Sequence, residues 1–419
     1  MKLFKTTLLS GLSTIFRLAS SFISVKVIAI IIGPAGVAIV GQFANFITMV
    51  STLASGAITN GIISYTAKNA NNLEKLHKVW KTGFCLSTIL SSICTVGLLL
   101  FKNSISLYFL HSSEYSIVIV IFAFSIIFFV WNQLILAILN GLGKISKLTL
   151  LNIISNLVGL GISILLVLKW KILGALIALA IVPNLMLIIM IALVYFEPWF
   201  KIKNLIGKID INALNGLKNY TVMAIIAATV TPLQQIAVRN LIISHLDINI
   251  AGCWQGLQKI SDAYLAIVYT AFSTYFLPKF ASLENSKLIQ KELNGCYKLI
   301  IPFVLLSIIM IYISREYIVN ILFSNQFSAM NQLFLWQLVG DFFKTIAWPL
   351  GLVFLAKGNA LVIGINDIIF NVLVVILSYW LINYIPVQAA VLSFAITYFL
   401  WFCWLLFLTK YNIFSTNTA

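Results

Sequence analysis

Apolar runs of about twenty residues follow one another along this chain from end to end, separated by short polar connections. That length is what an α-helix needs to cross a hydrocarbon core of about 30 Å. Inside such a core the backbone finds no water, so each segment must satisfy its own N–H and C=O groups, as a helix does. The charge content agrees. Only 9% of the 419 residues are charged and 61% are hydrophobic, against about 25% charged in a soluble domain. The chain therefore reads as an all-α integral membrane protein.

About twelve spans are predicted, at 6–31, 37–66, 82–101, 116–140, 148–168, 172–195, 213–241, 249–277, 297–314, 331–355, 359–382 and 387–409. The N-terminus has the charge and apolar stretch of a signal peptide. Arg17 interrupts it, however, and the apolar run continues to Ile32, so it is expected to be a retained first span. An even number of spans puts both termini on one side. Eighteen lysines lie in the connections and ends of that side, against Lys102, Lys169, Lys171 and Arg315 on the other. This bias predicts cytoplasmic termini and accounts for the net charge of +16 without nucleic acid.

The segment 197–212 is basic and amphipathic, and is expected to lie along the cytoplasmic surface. It would join two six-helix lobes, 1–196 and 213–419. A weak internal repeat supports the halves. A shift of 213 brings Gln42 onto Gln255, Asn45 onto Gln258 and Lys26 onto Arg239. A shift of 215 brings Asn152 onto Asp367 and Asn156 onto Asn371. Parallel repeats in transporters place substrate at the repeat interface, so two pseudo-symmetric lobes around a central cavity are expected.

The charges inside spans are the candidate functional residues, because a charge at mid-bilayer costs at least about 2.5–3.5 kcal/mol and usually faces a cavity. The cations are Arg17, Lys26, Arg239, Lys259 and Lys344; the acids are Asp262, Asp341 and Asp367. Gln255, Gln258, Lys259 and Asp262 share one face of the eighth span, and Gln42, Asn45, Thr52 and Asn60 trace a similar stripe in the second. Both stripes read either as cavity lining or as polar contacts between helices. Lys259 with Asp262, and Asp341 with Lys344, are spaced to form ion pairs. Lys26 and Arg239 are close enough to the outer ends of their spans to snorkel, and Asp367 close enough to the cytoplasmic surface to be hydrated. The excess of cations suits an anionic substrate, while a carboxylate that gains or loses its partner can couple to H⁺ or Na⁺.

Gly33-Pro34-Ala35-Gly36 predicts a tight turn between the first two spans, and Pro232 and Pro349 predict kinks. No phosphate-binding loop, HExxH or GxSxG sequence is present, and the five cysteines and three histidines are scattered. Neither a cofactor, a metal site nor an enzyme is expected.

The Gly33–Gly36 turn, Trp254-Gln255-Gly256, Ile260 to Leu265, Phe327 to Met330 with Leu333-Phe334, and Trp336 to Asp341 together resemble Wzx-type flippases over nearly the whole chain. These are bacterial translocases of undecaprenyl-pyrophosphate-linked oligosaccharides, of the O-antigen and enterobacterial common antigen kind, in the multidrug/oligosaccharidyl-lipid/polysaccharide exporter superfamily. The resemblance implies an inner-membrane protein with a V-shaped cavity and alternating access. It also implies lipid-linked oligosaccharide, membrane lipids, a polysaccharide polymerase and a chain-length regulator as partners. The cations at Arg17, Lys26, Arg239 and Lys344 and the acids Asp262 and Asp341 fit the family, whereas Lys259 departs from it. A drug/cation antiporter of the same superfamily is the alternative, disfavoured by the cation excess. A glycan polymerase or ligase is disfavoured by the short outer loops.

Overall fold

The computed structural model describes residues 2–69, 72–283 and 285–410. Among them there is no strand; the chain is a series of long helices. These are α1 (Lys2–Ile31), α2 (Pro34–Ala54), α3 (Thr59–Lys68), α4 (Leu73–Leu100), α5 (Lys102–Leu110), α6 (Ser116–Gly141), α7 (Ile145–Val194), α8 (Ile202–Leu205), α9 (Ile211–His245), α10 (Ile248–Ser282), α11 (Ser286–Ile313), α12 (Arg315–Leu322), α13 (Phe334–Ala356), α14 (Ala360–Leu381) and α15 (Ala389–Thr409).

The 50-residue α7 is two helices. Lys171 has φ 48° and ψ −124°, which is not helical. Gly159 lies against Val182, and Gly174 is so close to the Leu166 carbonyl that a Cβ would not fit. Contacts centred on residues 170–171 are those of an antiparallel hairpin, so α7 contributes two of the expected spans, the fifth and sixth. With α2 and α3 taken as one interrupted pass, the long helices match the twelve predicted segments in order.

The second pass is not continuous, contrary to the expectation of one helix over 37–66. It breaks at Ser55–Ile58, where Gly56 and Ala57 have φ 65° and 52°. A break inside a membrane leaves backbone groups unpaired unless neighbours supply partners. Here Ser87 Oγ in α4 donates to the Ser55 carbonyl at 3.2 Å, and the Ala57 N–H donates to Ser55 Oγ at 3.2 Å. The break carries Asn60 out of register with Gln42, Asn45 and Thr52, so the predicted four-residue stripe is limited to α2. The predicted turn does form at Gly33 (φ 81°), with Pro34 as the first residue of α2, where its missing N–H costs nothing.

Two compact units emerge: residues up to Ile32 with Ile39–Leu233, and Gly33–Ala38 with the chain from Gln234 onward. The division falls inside α9, one residue past Pro232, rather than at the 197–212 connection. Proline removes one backbone hydrogen bond from its helix, so α9 is weakest close to where it passes from one unit to the next.

In the first unit, α6 packs against α4 and α7, and α7 against α1. Phe43, Phe46 and Phe122 form an aromatic cluster, with Phe43 and Phe122 edge-to-face at 6.0 Å. Trp80 Nε1 donates to Thr66 Oγ1 at 2.9 Å, tying α4 to α3. In the second unit α13 is central, packed on α10, α11, α14 and α15 around Phe280, Val353, Phe354 and Leu405. The outward faces carry large apolar side chains such as Leu165, Leu299, Leu306 and Ile376. Such a surface is stable in lipid and not in water.

Between α7 and α9 the 197–212 connection forms a single helical turn, α8, preceded by Pro198 and followed by Gly207. Glu197 accepts from both Lys144 and Lys147, which anchors the connection to the start of α7.

Candidate functional site

Each unit carries a polar constellation inside its helices. In the first, Arg17 opens onto a cavity of about 390 Å³ lined by Ser13 and Thr14 of α1 and by Thr149, Asn152, Ser155 and Asn156 of α7. Ser13, Thr14 and Arg17 share one face of α1; Thr149, Asn152 and Asn156 follow at i, i+3 and i+7 on α7. Apart from Leu148, the cavity wall is therefore made of hydroxyls and amides around one guanidinium. That donor and acceptor set matches a hydroxyl-rich anion, because guanidinium pairs bidentately with phosphate and the amides bond hydroxyls.

In the second unit the polar groups form a chain. Arg239 is fully buried, donates to Gln255 Oε1, and lies 5.5 Å from the Trp254 ring. Gln258 Nε2 donates to Gln337 Oε1 at 3.1 Å, and Gln337 Nε2 to Asp341 Oδ1 at 3.2 Å. Ser261 Oγ and Tyr264 Oη both donate to Asp341 Oδ2, at 2.6 and 2.7 Å. The carboxylate has no exposure to solvent. Its three donors come from α10 and α13, so Asp341 holds those two helices together. The small Gly340 beside it admits Phe394 and Ala395 of α15.

The sequence expectations divide against this geometry. Arg239 with Gln255, and Gln258 with Asp341 through Gln337, are brought together. The two expected ion pairs, Lys259–Asp262 and Asp341–Lys344, do not form: among the described residues, the ion pairs within 4 Å are Lys78–Glu74, Lys144–Glu197 and Lys147–Glu197. Asp262 is on the exposed face of α10 and Lys259 is half-buried, whereas Asp341 is held by neutral donors. Lys344 instead faces the rings of Phe394 and Tyr398, at 5.6 and 5.3 Å, where the π faces attract a cation. Lys26 is exposed while its repeat partner Arg239 is buried. Gln42 is fully buried and Asn45 half-buried. Asp367 is half-buried, and its carbonyl accepts from Asn371 Nδ2 at 2.7 Å.

Ser261, Tyr264 and Gln337 were present in the sequence only as pieces of motifs. Their spacing gave a signal: Gln258, Ser261 and Asp262, with Tyr264 and Leu265 a turn further on, follow the 3–4 period of one helix side. Asn152 and Asn156 stood out only through the repeat. The hydroxyls of Ser13 and Thr14 carried no signal beyond their spacing to Arg17.

The fold, with charges held inside long lipid-facing helices, is that of a many-spanning membrane transporter. Its solved neighbours agree. They include lipid II flippase MurJ in an inward closed conformation, with a TM-score of 0.72, 18% identity, and coverage of 97% of this chain and 87% of that one. They also include an inward-facing multidrug resistance MATE family transporter of the MOP superfamily, with a TM-score of 0.66, 14% identity, and coverage of 97% and 100%. The chain belongs to the Polysaccharide biosynthesis protein family, whose model matches residues 3–284. Among curated proteins it is similar to the lipid III flippases of Escherichia coli (strain K12) and Shigella flexneri. Each is 27% identical over 402 residues, covering 96% of this chain and 97% of the relative.

Proposed function

We propose that this protein is a flippase that moves undecaprenyl-pyrophosphate-linked oligosaccharide, of the O-antigen or enterobacterial common antigen type, from the cytoplasmic to the periplasmic leaflet of a bacterial inner membrane. The observation that carries the reading is the Arg17 cavity. A polyprenyl tail dissolves in the bilayer unaided; the barrier to crossing lies in the pyrophosphate and the sugar hydroxyls, whose hydration must be replaced. One guanidinium and a wall of hydroxyls and amides in α1 and α7 replace it. End-to-end similarity to two lipid III flippases supports the same substrate class. Both termini are placed in the cytoplasm on the lysine bias.

In this reading access to the head-group site alternates between the two leaflets, with Arg17 as the primary pyrophosphate contact and Lys26 as a second. In this conformation Arg239 is engaged with Gln255, and Gln258 with Gln337, and they release only if the second unit rearranges. Asp341 is the coupling acid. Its neutral donors hold a carboxylate, and protonation at Oδ2 puts a donor where Ser261 and Tyr264 of α10 already donate, which loosens α10 from α13.

The test is reconstitution into vesicles with a defined polyprenyl-pyrophosphate-linked oligosaccharide, with and without an imposed proton gradient. The wild type should flip it, and Arg17→Ala should slow flipping at least tenfold at equal protein. Asp341→Asn should remove the dependence on the gradient. Transport of a cationic dye without flipping would replace the proposal with the antiporter reading. A gradient dependence retained by Asp341→Asn would remove Asp341 as the coupling acid.

A further inference from the structure

A second cavity in the first unit is larger than the polar one. A space of about 880 Å³ lies between α4, α6, the second half of α7 and the 195–207 connection, walled by Phe84, Trp131, Leu187 and Ile191. Helix interiors pack without voids of this size, and small-molecule sites span about 300–1,000 Å³. The wall has little to offer sugars. Trp131 Nε1 donates to Thr88 Oγ1 at 3.0 Å, and Thr88 Oγ1 donates to the Phe84 carbonyl at 2.7 Å, so the hydroxyl in the wall is already bonded.

The mouth is a different chemistry. Glu197 and Lys201 both line it. Lys144 and Lys147 together more than neutralise Glu197. Lys201 is exposed and, among the described residues, forms no ion pair. Lys81 lies against Gly207 at the same edge. Nearby, His77 is held below its usual value first by burial and then by the charges of Lys81 and Lys203, which marks the same positive field. Beside these cations the connection exposes Tyr195, Phe196, Ile206 and Ile211; Phe196 is 89% exposed. Aromatic and aliphatic side chains mixed with lysines are the mark of a segment lying at the lipid–water boundary.

We propose that this cavity is a binding site for an anionic membrane glycerophospholipid, its acyl chains between α4, α6 and α7 and its phosphate against Lys201. The mouth lies where phospholipid headgroups lie, so the ligand enters from the bilayer. The basic rim selects an anionic head over a zwitterionic one. The site shares no residue with the Arg17 cavity. It rests on the membrane-spanning fold and not on the identity of the transported substrate.

The test is native mass spectrometry of the delipidated full-length protein exposed to phosphatidylglycerol or phosphatidylcholine. The wild type should retain phosphatidylglycerol about fivefold better, as one basic contact near a lipid surface gives. Lys201→Ala should lose that preference, and Ile191→Trp should lose both adducts with its helical circular dichroism unchanged. If Ile191→Trp does not fold, phosphatidylglycerol should instead protect Cys85, which lines the cavity, from a membrane-permeant maleimide in the wild type. Equal retention of the two lipids, or adducts unaffected by Ile191→Trp and no protection of Cys85, overturns the proposal. Stoichiometric displacement of phosphatidylglycerol by a polyprenyl pyrophosphate also overturns it, in favour of the substrate's own tail.

Discussion

Tyr264→Phe removes one oxygen from the Asp341 clamp and leaves the ring. The lost bond is the 2.7 Å contact to Asp341 Oδ2, one of the two bonds to that carboxylate that tie α10 to α13. A hydrogen bond to a charged group contributes about 1.5–3 kcal/mol, and one between neutral groups about 0.5–1.5. Tyr264→Phe should therefore cost about 1.5–3 kcal/mol when position 341 is Asp. In Asp341→Asn the same contact is neutral at best, and the cost should fall to about 0.5–1.5 kcal/mol. The double-mutant cycle thus predicts a coupling of about 1–1.5 kcal/mol, above the scatter of about 0.3–0.5 for independent sites. Thermal melts of a protein this size in detergent are governed by rate, so reversible unfolding in mixed micelles is the appropriate assay. A coupling indistinguishable from zero would refute the claim that Asp341 is a carboxylate held by Tyr264, and with it the clamp between the two helices.

Four further outcomes are expected. Glu197 is pulled down from its ordinary 4.5 to about 2, chiefly by the hydrogen bonds from Lys144 and then Lys147. Its folded value is the depressed one, so the anchoring it provides is complete above about pH 4.5 and is lost as pH falls toward 2; protease cleavage in the 197–212 connection should rise over that window and be insensitive to pH in Glu197→Gln. Lys171 holds a left-handed turn that a side chain disfavours, so Lys171→Gly should stabilise by about 1 kcal/mol, read by the same micelle unfolding. Gly340→Leu should clash with Phe394 and cost about 1–3 kcal/mol by overpacking, with loss of folded yield. Pro232→Ala should restore a backbone bond in α9, leave stability equal or higher, and slow vesicle flipping; flipping at the wild-type rate would show that the weak point in α9 is not used.

Asp341 illustrates what could and could not be read in advance. Its position inside a span, and therefore its importance, follows from the apolar run around it. Lys344, three residues on, was the partner that local spacing suggested. Yet the side chain's actual partners Ser261 and Tyr264 are 80 and 77 residues away. Glu197 is similar: its lysines are 53 and 50 residues back along the chain, and nothing in the local pattern selects them over the other lysines of the same face.

The amino-acid sequence alone specifies the solvent, the number and order of the helical passes, the Gly33-Pro34 turn and the polar faces on α2 and α10. These depend on run length and on the 3.6-residue period, which are properties of neighbouring residues. Long-range packing sets the place where α2 and α3 part, Ser55–Ile58, because the break is stable where α4 supplies Ser87 to the Ser55 carbonyl. It also decided that Arg239 is spent on Gln255 and Trp254 while Arg17 opens onto a cavity. The charge on each arginine is the same; what differs is which helix packs beside it, and that is set by side chains far away in the chain.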